Sequence, residues 1–460
     1  MSAQEYDAIV IGAGPAGEVA AGRLADAGLQ VALVEEHLVG GECSFYGCMP
    51  SKALLRPFQA LGEVRRIPGA AEAVTGELDA GATLARRDEV IHDLDDGAQL
   101  PWVDEKSITL KRGRGRLDGE RTVVVTGGER LTARRAVLLA VGSRAAVPPI
   151  EGLADAVPWT NREITTAKDV PESLVVIGGG PIGSEMAQAW QSLGSQVTLL
   201  EAADRLLLKE EPFASALVTE GMERLGVQVR TGVKIAGVTR DGTEGPATVT
   251  LEGGDTVTGA ELVVAAGRHV PLEDLGLDTV GVQANDHGFL DVDDTMRIPG
   301  SDWLYVVGDA NGRALLTHMG KYQARLACDQ VLGRPTQLRS DGGRSPRVTF
   351  TEPQVAAVGY TLSDALAAGI QARAVDASTS GNAGGSFYGR GAPGTSRIVI
   401  DDARGVIVGA TITGAEIADF LHAATIAVIG EVPLSTLWHA VPAFPTRSEV
   451  WLRLLETAGL

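Results

Sequence analysis

Short apolar runs separated by glycine turns divide the first part of the chain into alternating units. Ala8-Ile9-Val10-Ile11 predicts a buried strand, and an amphipathic stretch to about Ala27 predicts a helix. After Gly28, Val31-Ala32-Leu33-Val34 predicts a second strand that closes on Glu35. Between the first strand and the helix lies Gly12-Ala13-Gly14-Pro15-Ala16-Gly17. In that context Gly12 permits a tight turn, Gly14 lets backbone approach a pyrophosphate, and Gly17 lets helix and strand pack closely. The phosphates would rest on the helix N-terminus, and Glu35 would accept hydrogen bonds from a ribose diol.

The unit recurs. Leu174-Val175-Val176-Ile177 leads into Gly178-Gly179-Gly180-Pro181-Ile182-Gly183, a helical stretch to about Leu193, and the strand Gln196–Leu200 closing on Glu201. The acid follows the first glycine by 23 positions in both copies, from 12 to 35 and from 178 to 201. Each copy is followed by a further strand ending in glycine, Leu138-Leu139-Ala140-Val141-Gly142 and Val263-Val264-Ala265-Ala266-Gly267. Two such units in one chain imply two dinucleotides. Farther on, Trp303–Val307 predicts a strand ending in Gly308-Asp309, and Leu316–Leu332 a helix. From Val348 onward, strand patterns at Arg397–Asp401 and Val406–Ile412 alternate with helical ones at Ala415–Ile429 and Ser448–Glu456, an α+β terminal domain.

Composition narrows the classes. At 460 residues and 44% hydrophobic, the chain is a globular one too long for a single core. Its 59 acidic against 40 basic side chains, net charge −19, exclude a phosphate-coating nucleic-acid binder. No apolar run reaches the ~18–20 residues of a membrane span, so no membrane insertion is expected. The N-terminus lacks the pattern of a signal peptide, and a cytoplasmic location is expected. Three cysteines are too few for a disulfide framework or a four-thiolate zinc site, and no metal site is expected.

Two of the cysteines lie in Gly40-Gly41-Glu42-Cys43-Ser44-Phe45-Tyr46-Gly47-Cys48-Met49-Pro50-Ser51-Lys52, shortly after the first acid. Ligands bind at the carboxyl edge of such sheets. Pro50 suits a first helical turn, so Cys48 would sit at a helix N-terminus, where the dipole stabilises a thiolate. Cys328 falls in a helical run and reads as a small core residue.

With these motifs assembled, the chain resembles the flavoprotein disulfide reductases, the family of dihydrolipoamide dehydrogenase, glutathione reductase and mercuric reductase. The resemblance covers essentially the whole chain. It implies an α/β fold with two Rossmann-like dinucleotide-binding domains of the three-layer ββα type and a C-terminal α+β dimerisation domain. By it, residues 1–150 and 273–345 form an FAD domain, 151–272 an NAD(P) domain, and 346–460 the interface of a homodimer. FAD would be held by the first glycine motif, Glu35, Gly41, Glu42, Lys52, Ala140, Gly142, Gly308, Asp309, Leu316, Thr317 and His318. The nicotinamide would be held by Gly178, Gly180, Pro181, Ile182, Gly183, Glu201 and Gly267. Cys48 would face the flavin, Cys43 would meet the substrate, and Lys52 near flavin N5 would pair with Glu185. Glu201 favours NADH because a carboxylate repels the extra phosphate of NADPH; nearby Arg205 leaves NADPH as an alternative.

One departure stands out. Where the disulfide-reducing members carry His-Pro-Thr-x-x-Glu, this chain has Phe444-Pro445-Thr446-Arg447-Ser448-Glu449. Glu449 is retained, but Phe444 cannot transfer a proton, and general acid–base catalysis is typically worth ~10²–10⁴-fold. His439 is the nearest substitute. Glu42, Phe45 and Tyr46 also depart from common family residues. Three readings follow: an NADH-oxidising flavoenzyme with a small non-lipoamide acceptor such as a quinone or electrophile; a dihydrolipoamide dehydrogenase-like enzyme with a displaced base; and a flavin-binding partner subunit without turnover. The retained cysteine couple argues against the third. The closing residues Trp451–Leu460 carry no cysteine pair, which counts against mercuric reduction and thioredoxin-type relays.

Overall fold

A computed structural model describes residues 4–460 and divides into two compact units. The first comprises Met1–Pro50, Asp88–Arg144 and Arg268–Gly343; the second comprises Ser51–Arg87, Ala145–Gly267 and Arg344–Leu460.

In the first unit the strand Gln4–Ile11 is the centre of a parallel sheet. It pairs with Val31–Glu35 on one side and Glu129–Leu139 on the other. Thr109–Arg112 and Leu304–Val306 extend the parallel set outward. The long strand Glu129–Leu139 also pairs antiparallel with Thr122–Val125, which pairs with Gly115–Leu117. Successive side chains of a strand point to opposite faces, and the buried residues follow that alternation. Ile9 and Ile11 join Val123, Val125 and Leu131 under the antiparallel ribbon. Ala8 and Val10 join Leu24, Ala324 and Cys328 under the helices Pro15–Asp26 and Thr317–Val331. Helices, parallel sheet and ribbon make the three predicted layers. Burying one such Val, Leu or Ile is worth ~1.5–3 kcal/mol, so the alternation alone selects the register.

The second unit repeats the plan. Its parallel sheet runs Gln228–Arg230, Gln196–Leu200, Ser173–Ile177, Glu261–Val264. Leu174 and Val176 pack with Met186 and Trp190 on the helical side, and Val175 and Ile177 with Val238 and Val249 beneath an antiparallel ribbon. A five-stranded antiparallel sheet follows, from Arg347–Thr349 through Gln354–Gly359, Val406–Gly414 and Thr395–Asp401 to Ala372–Ser378. The helices Leu421–Ile429 and Val450–Thr457 pack with it over one core. The helical pattern read from Ala415 begins as a regular helix only at Leu421. Among the described residues, no helix is long and apolar enough to cross a membrane.

Candidate active site

Both glycine turns have the geometry that close packing demands. Gly12 and Gly178 have φ of +100° and +111°, a region that L side chains rarely adopt. A Cβ on Gly17 would lie 1.8 Å from the Gly12 carbonyl oxygen, and one on Gly183 would lie 1.9 Å from that of Gly178. Gly14 and Gly180, by contrast, face open space and immediately precede the helices that begin at Pro15 and Pro181. Free backbone N–H groups at a helix N-terminus beside an uncrowded glycine suit a pyrophosphate. Ala140 backs the first loop, donating its N–H to Ile11, while Gly142 and Gly267, at φ of +66° and +132°, face open space. Gly41 crosses the first loop so closely that a Cβ there would lie 2.8 Å from Gly14 Cα.

The two acids hold these turns in the same way. Glu35 Oε2 accepts the Ala13 N–H at 2.6 Å and Oε1 the His37 N–H at 2.7 Å. Glu201 Oε2 accepts the Gly179 N–H at 2.6 Å and Oε1 the Ala203 N–H at 2.7 Å. Each carboxylate thus braces its glycine loop and keeps further lone pairs for a ribose. Arg205 donates to the carbonyls of Leu207, Leu208 and Glu210, so its guanidinium is already engaged by backbone.

In the first unit Cys43 lies in the short helix Gly41–Phe45, and Cys48 opens the helix Cys48–Arg66. Both are thiols, and they hydrogen-bond to one another. Thr317, first residue of the helix Thr317–Val331, sets its hydroxyl between them: Oγ1 is 3.2 Å from Cys43 Sγ and 3.3 Å from Cys48 Sγ. A hydroxyl has one proton, so when Thr317 donates to Cys43 it accepts from Cys48. The hydrogen bond that the Cys43 thiol donates to Cys48, together with burial, pushes Cys43 up, while Thr317 and Lys321 pull it down. Leu316 caps this helix without a side-chain bond, leaving its N-terminal backbone donors open, and His318 is exposed. Cys328, as the sequence suggests, is a core residue; burial pushes its thiol up to about 12.

Asp309 follows Gly308, whose N–H is held by Gln323 Oε1 at 2.8 Å. Ser143 donates to Asp309 Oδ2 at 2.5 Å, and Arg268 donates to the Ser143 hydroxyl and carbonyl, each at 2.6 Å. Burial pushes the Asp309 carboxyl up; Ser143 and Arg268 oppose this, and Glu42 adds to it.

In the second unit Lys52 Nζ is 2.7 Å from Glu185 Oε2, and the Phe350 N–H donates to Glu185 Oε1 at 2.8 Å. Pro181 and Ile182 occupy the first turn of the helix that carries Glu185. Glu449 accepts the Gly384 N–H at 3.0 Å, while Phe444 and His439 are both exposed. Among the described residues, no group of three His, Cys, Asp or Glu is arranged to hold a metal ion.

Sequence reasoning missed three partners: Thr317 as the group between the thiols, the Ser143–Arg268 pair behind Asp309, and Phe350 behind the ion pair. A signal existed for the second, because Gly142-Ser143 and Gly267-Arg268 stand at matching ends of the two strand–glycine echoes.

Comparison with known proteins agrees with this geometry. Residues 6–324 match the family described as Pyridine nucleotide-disulphide oxidoreductase, and residues 345–454 match its dimerisation domain. Dihydrolipoyl dehydrogenase of Mycobacterium tuberculosis is 32% identical over 452 residues, 96% of this chain and 96% of that protein. Dihydrolipoyl dehydrogenase of Chlamydia muridarum is 30% identical over 97% of this chain and 96% of its own length. Among solved structures, LpdA of Mycobacterium tuberculosis is 25% identical with a TM-score of 0.84, covering 98% of this chain and 99% of that one. The flavoprotein disulfide reductase RclA of Escherichia coli shares the fold at 23% identity and a TM-score of 0.85, covering 98% and 99%. The chain belongs to the pyridine nucleotide-disulphide oxidoreductases, enzymes that use FAD and NAD(P)H.

Proposed function

We propose that this enzyme oxidises NADH through FAD and a Cys43–Cys48 redox couple and passes the electrons to a small acceptor other than lipoamide, such as a quinone or electrophile. Bound FAD supplies a two-electron relay between the nicotinamide and the disulfide. In this reading residues 1–150 and 273–345 hold FAD, 151–272 hold NADH, and 346–460 join two copies into a homodimer, in the cytoplasm. Gly12, Gly14 and Gly17 admit the FAD pyrophosphate, Glu35 its ribose, and Asp309 its ribityl chain. In this reading Lys52, tied to Glu185, lies one helical turn after Cys48 in sequence and faces the flavin. Gly178, Gly180, Gly183 and Glu201 do the same for NADH. The preference for NADH rests on Glu201, with Arg205 bound to backbone carbonyls and so withdrawn from a 2′-phosphate.

The observation that carries the non-lipoamide reading is Phe444 in the slot of the proton-transferring histidine, beside a retained Glu449. Glu449 instead accepts a backbone N–H from Gly384. With no imidazole there, an acceptor that takes electrons without a protonated sulfur leaving group fits best. A second reading, a dihydrolipoamide dehydrogenase with His439 as base, draws on relatives of that name at 30–32% identity. An acceptor screen of the FAD-loaded protein with NADH, covering lipoamide, small disulfides, quinones and metal ions, separates the two. Quinone turnover well above lipoamide turnover is expected; efficient lipoamide turnover would defeat the first reading and favour the second.

A further inference from the structure

Lys52, Gln59 and Arg66 stand at seven-residue steps in the helix Cys48–Arg66, a spacing that keeps side chains on one face. All three meet one short segment, Phe350–Glu352. The Phe350 ring centre lies 4.8 Å from Lys52 Nζ. Gln59 Nε2 donates to the Phe350 carbonyl at 2.8 Å, and Arg66 Nη1 donates to Glu352 Oε1 at 3.1 Å. The helix Pro181–Ser192 meets the same segment. Its Glu185 accepts the Phe350 N–H at 2.8 Å. Gln188, three residues on, pairs with both backbone groups of Glu352: Oε1 accepts the N–H at 2.7 Å, and Nε2 donates to the carbonyl at 2.9 Å.

Gln59 is 4% exposed and Gln188 0%. Buried amides are retained where their hydrogen bonds are made, and these are made to the backbone of one segment. Phe350 in turn touches both members of the Lys52–Glu185 pair, the lysine through its ring and the glutamate through its N–H. The backbone that carries both contacts is therefore held by two helices at once.

We infer that Gln59 and Gln188 are positioning residues for the Lys52 ammonium: by fixing Phe350–Glu352 they fix the ring and the N–H that hold the Lys52–Glu185 pair, and so set how readily bound FAD takes up electrons. This rests on the reading in which Lys52 faces the flavin. An ammonium held at a fixed distance favours the negative charge of reduced flavin. A lysine stem free to change rotamer would spread that charge and weaken its effect. The glutamines carry no charge themselves, so replacing them with a neutral side chain leaves Lys52, Glu185 and the net charge as they are.

The test reads the flavin rather than turnover. In FAD-loaded protein carrying Cys43→Ser and Cys48→Ser, electrons stop at the flavin. The ratio of reduced to oxidised flavin is measured by absorbance at equilibrium with a reference dye. Gln59→Met and Gln188→Met keep the side-chain length and remove the amide. Each should lower the ratio about threefold, the worth of a weakened hydrogen bond. Lys52→Met combined with Glu185→Gln removes the cation without stranding its carboxylate, and should lower the ratio about tenfold. In that paired background the glutamine changes should have no further effect, the non-additivity of residues that act through one group. Retained flavin absorbance reports folding, and Gln59→Met, which removes one hydrogen bond to backbone, carries the test where Gln188→Met does not fold. Unchanged ratios in the glutamine variants beside a lowered ratio in the paired variant would overturn the proposal while leaving the Lys52 reading intact. Equal effects of the glutamine changes with and without the lysine would do the same. An unchanged ratio in the paired variant would instead sink the reading of Lys52 at the flavin, and the proposal with it.

Discussion

Lys52 Nζ and Glu185 Oε2 lie 2.7 Å apart, with the lysine side chain 35% exposed and the glutamate 5%. The Phe350 ring sits 4.8 Å beneath the ammonium, and its backbone N–H satisfies the other carboxylate oxygen. A buried carboxylate so completely partnered depends on its cation. Removing one member of a buried pair typically costs ~3–5 kcal/mol, because the other charge is stranded. Lys52→Met is therefore expected to destabilise the protein by about 3 kcal/mol. Glu185→Gln, which strands no buried charge, should cost less. Thermal unfolding by circular dichroism measures both; an unchanged Lys52→Met midpoint would contradict the pairing.

The two thiols should separate by role. In FAD-loaded protein, Cys48→Ser is expected to abolish the long-wavelength absorbance that follows NADH addition, while Cys43→Ser should retain it. Titration with NADH in a spectrophotometer distinguishes them. Equal loss in both variants would show that the sequence order does not assign the flavin-facing sulfur.

Restoring an imidazole tests the meaning of Phe444. It is 77% exposed, so Phe444→His should fold without loss of core packing. Disulfide reductase activity is expected to rise, up to the ~10²-fold lower bound for general acid–base catalysis if Glu449 can orient the ring. Steady-state rates with lipoamide would reveal it. No gain would point to another base or another acceptor shape.

Glu201 joins specificity to loop geometry. Glu201→Gln keeps one acceptor oxygen but loses the charge that braces Gly179 and Ala203. The KM for NADH should rise severalfold and the NADH-to-NADPH preference should narrow. Comparing kcat/KM for the two nucleotides is the measurement. An unchanged ratio would remove Glu201 from nucleotide selection.

Cys328 should be silent in the native state. Its thiol is pushed from 9.0 up to about 12 by burial, so it is protonated wherever Cys43 and Cys48 react. Thiol counting is expected to find two reactive sulfurs in the reduced native protein and all three cysteines in denaturant. The linkage has a definite sign. The folded form holds this proton more tightly than the unfolded form, so its contribution to stability is intact below pH 9.0 and is lost as pH rises through about 12.

Most of the fold was legible because its signals are local. The strand at Ala8, the turn at Gly12, the helix from Pro15 and the acid at Glu35 are set by burial period and backbone sterics within a few dozen residues. The duplication at Gly178–Glu201 repeated them in register. The helix start at Cys48 was legible from Pro50. The units were less so: residues 51–87 pack with the second unit although they follow the first cysteine motif directly. No local pattern reports which side of a sheet a returning segment will cover.

The partners of the reactive groups lay beyond that range. Thr317 reaches Cys43 across 274 positions, and Ser143 reaches Asp309 across 166. Those meetings depend on strand order, which sets Leu304–Val306 beside Glu129–Leu139 and so delivers the following helix to the thiols. Chemistry was written in the residues: two cysteines, two glycine turns, two matched acids and a phenylalanine in place of a proton donor. Which hydroxyl would stand between the thiols was settled by packing, because hydrogen bonds act over a few ångströms in space whatever the distance along the chain.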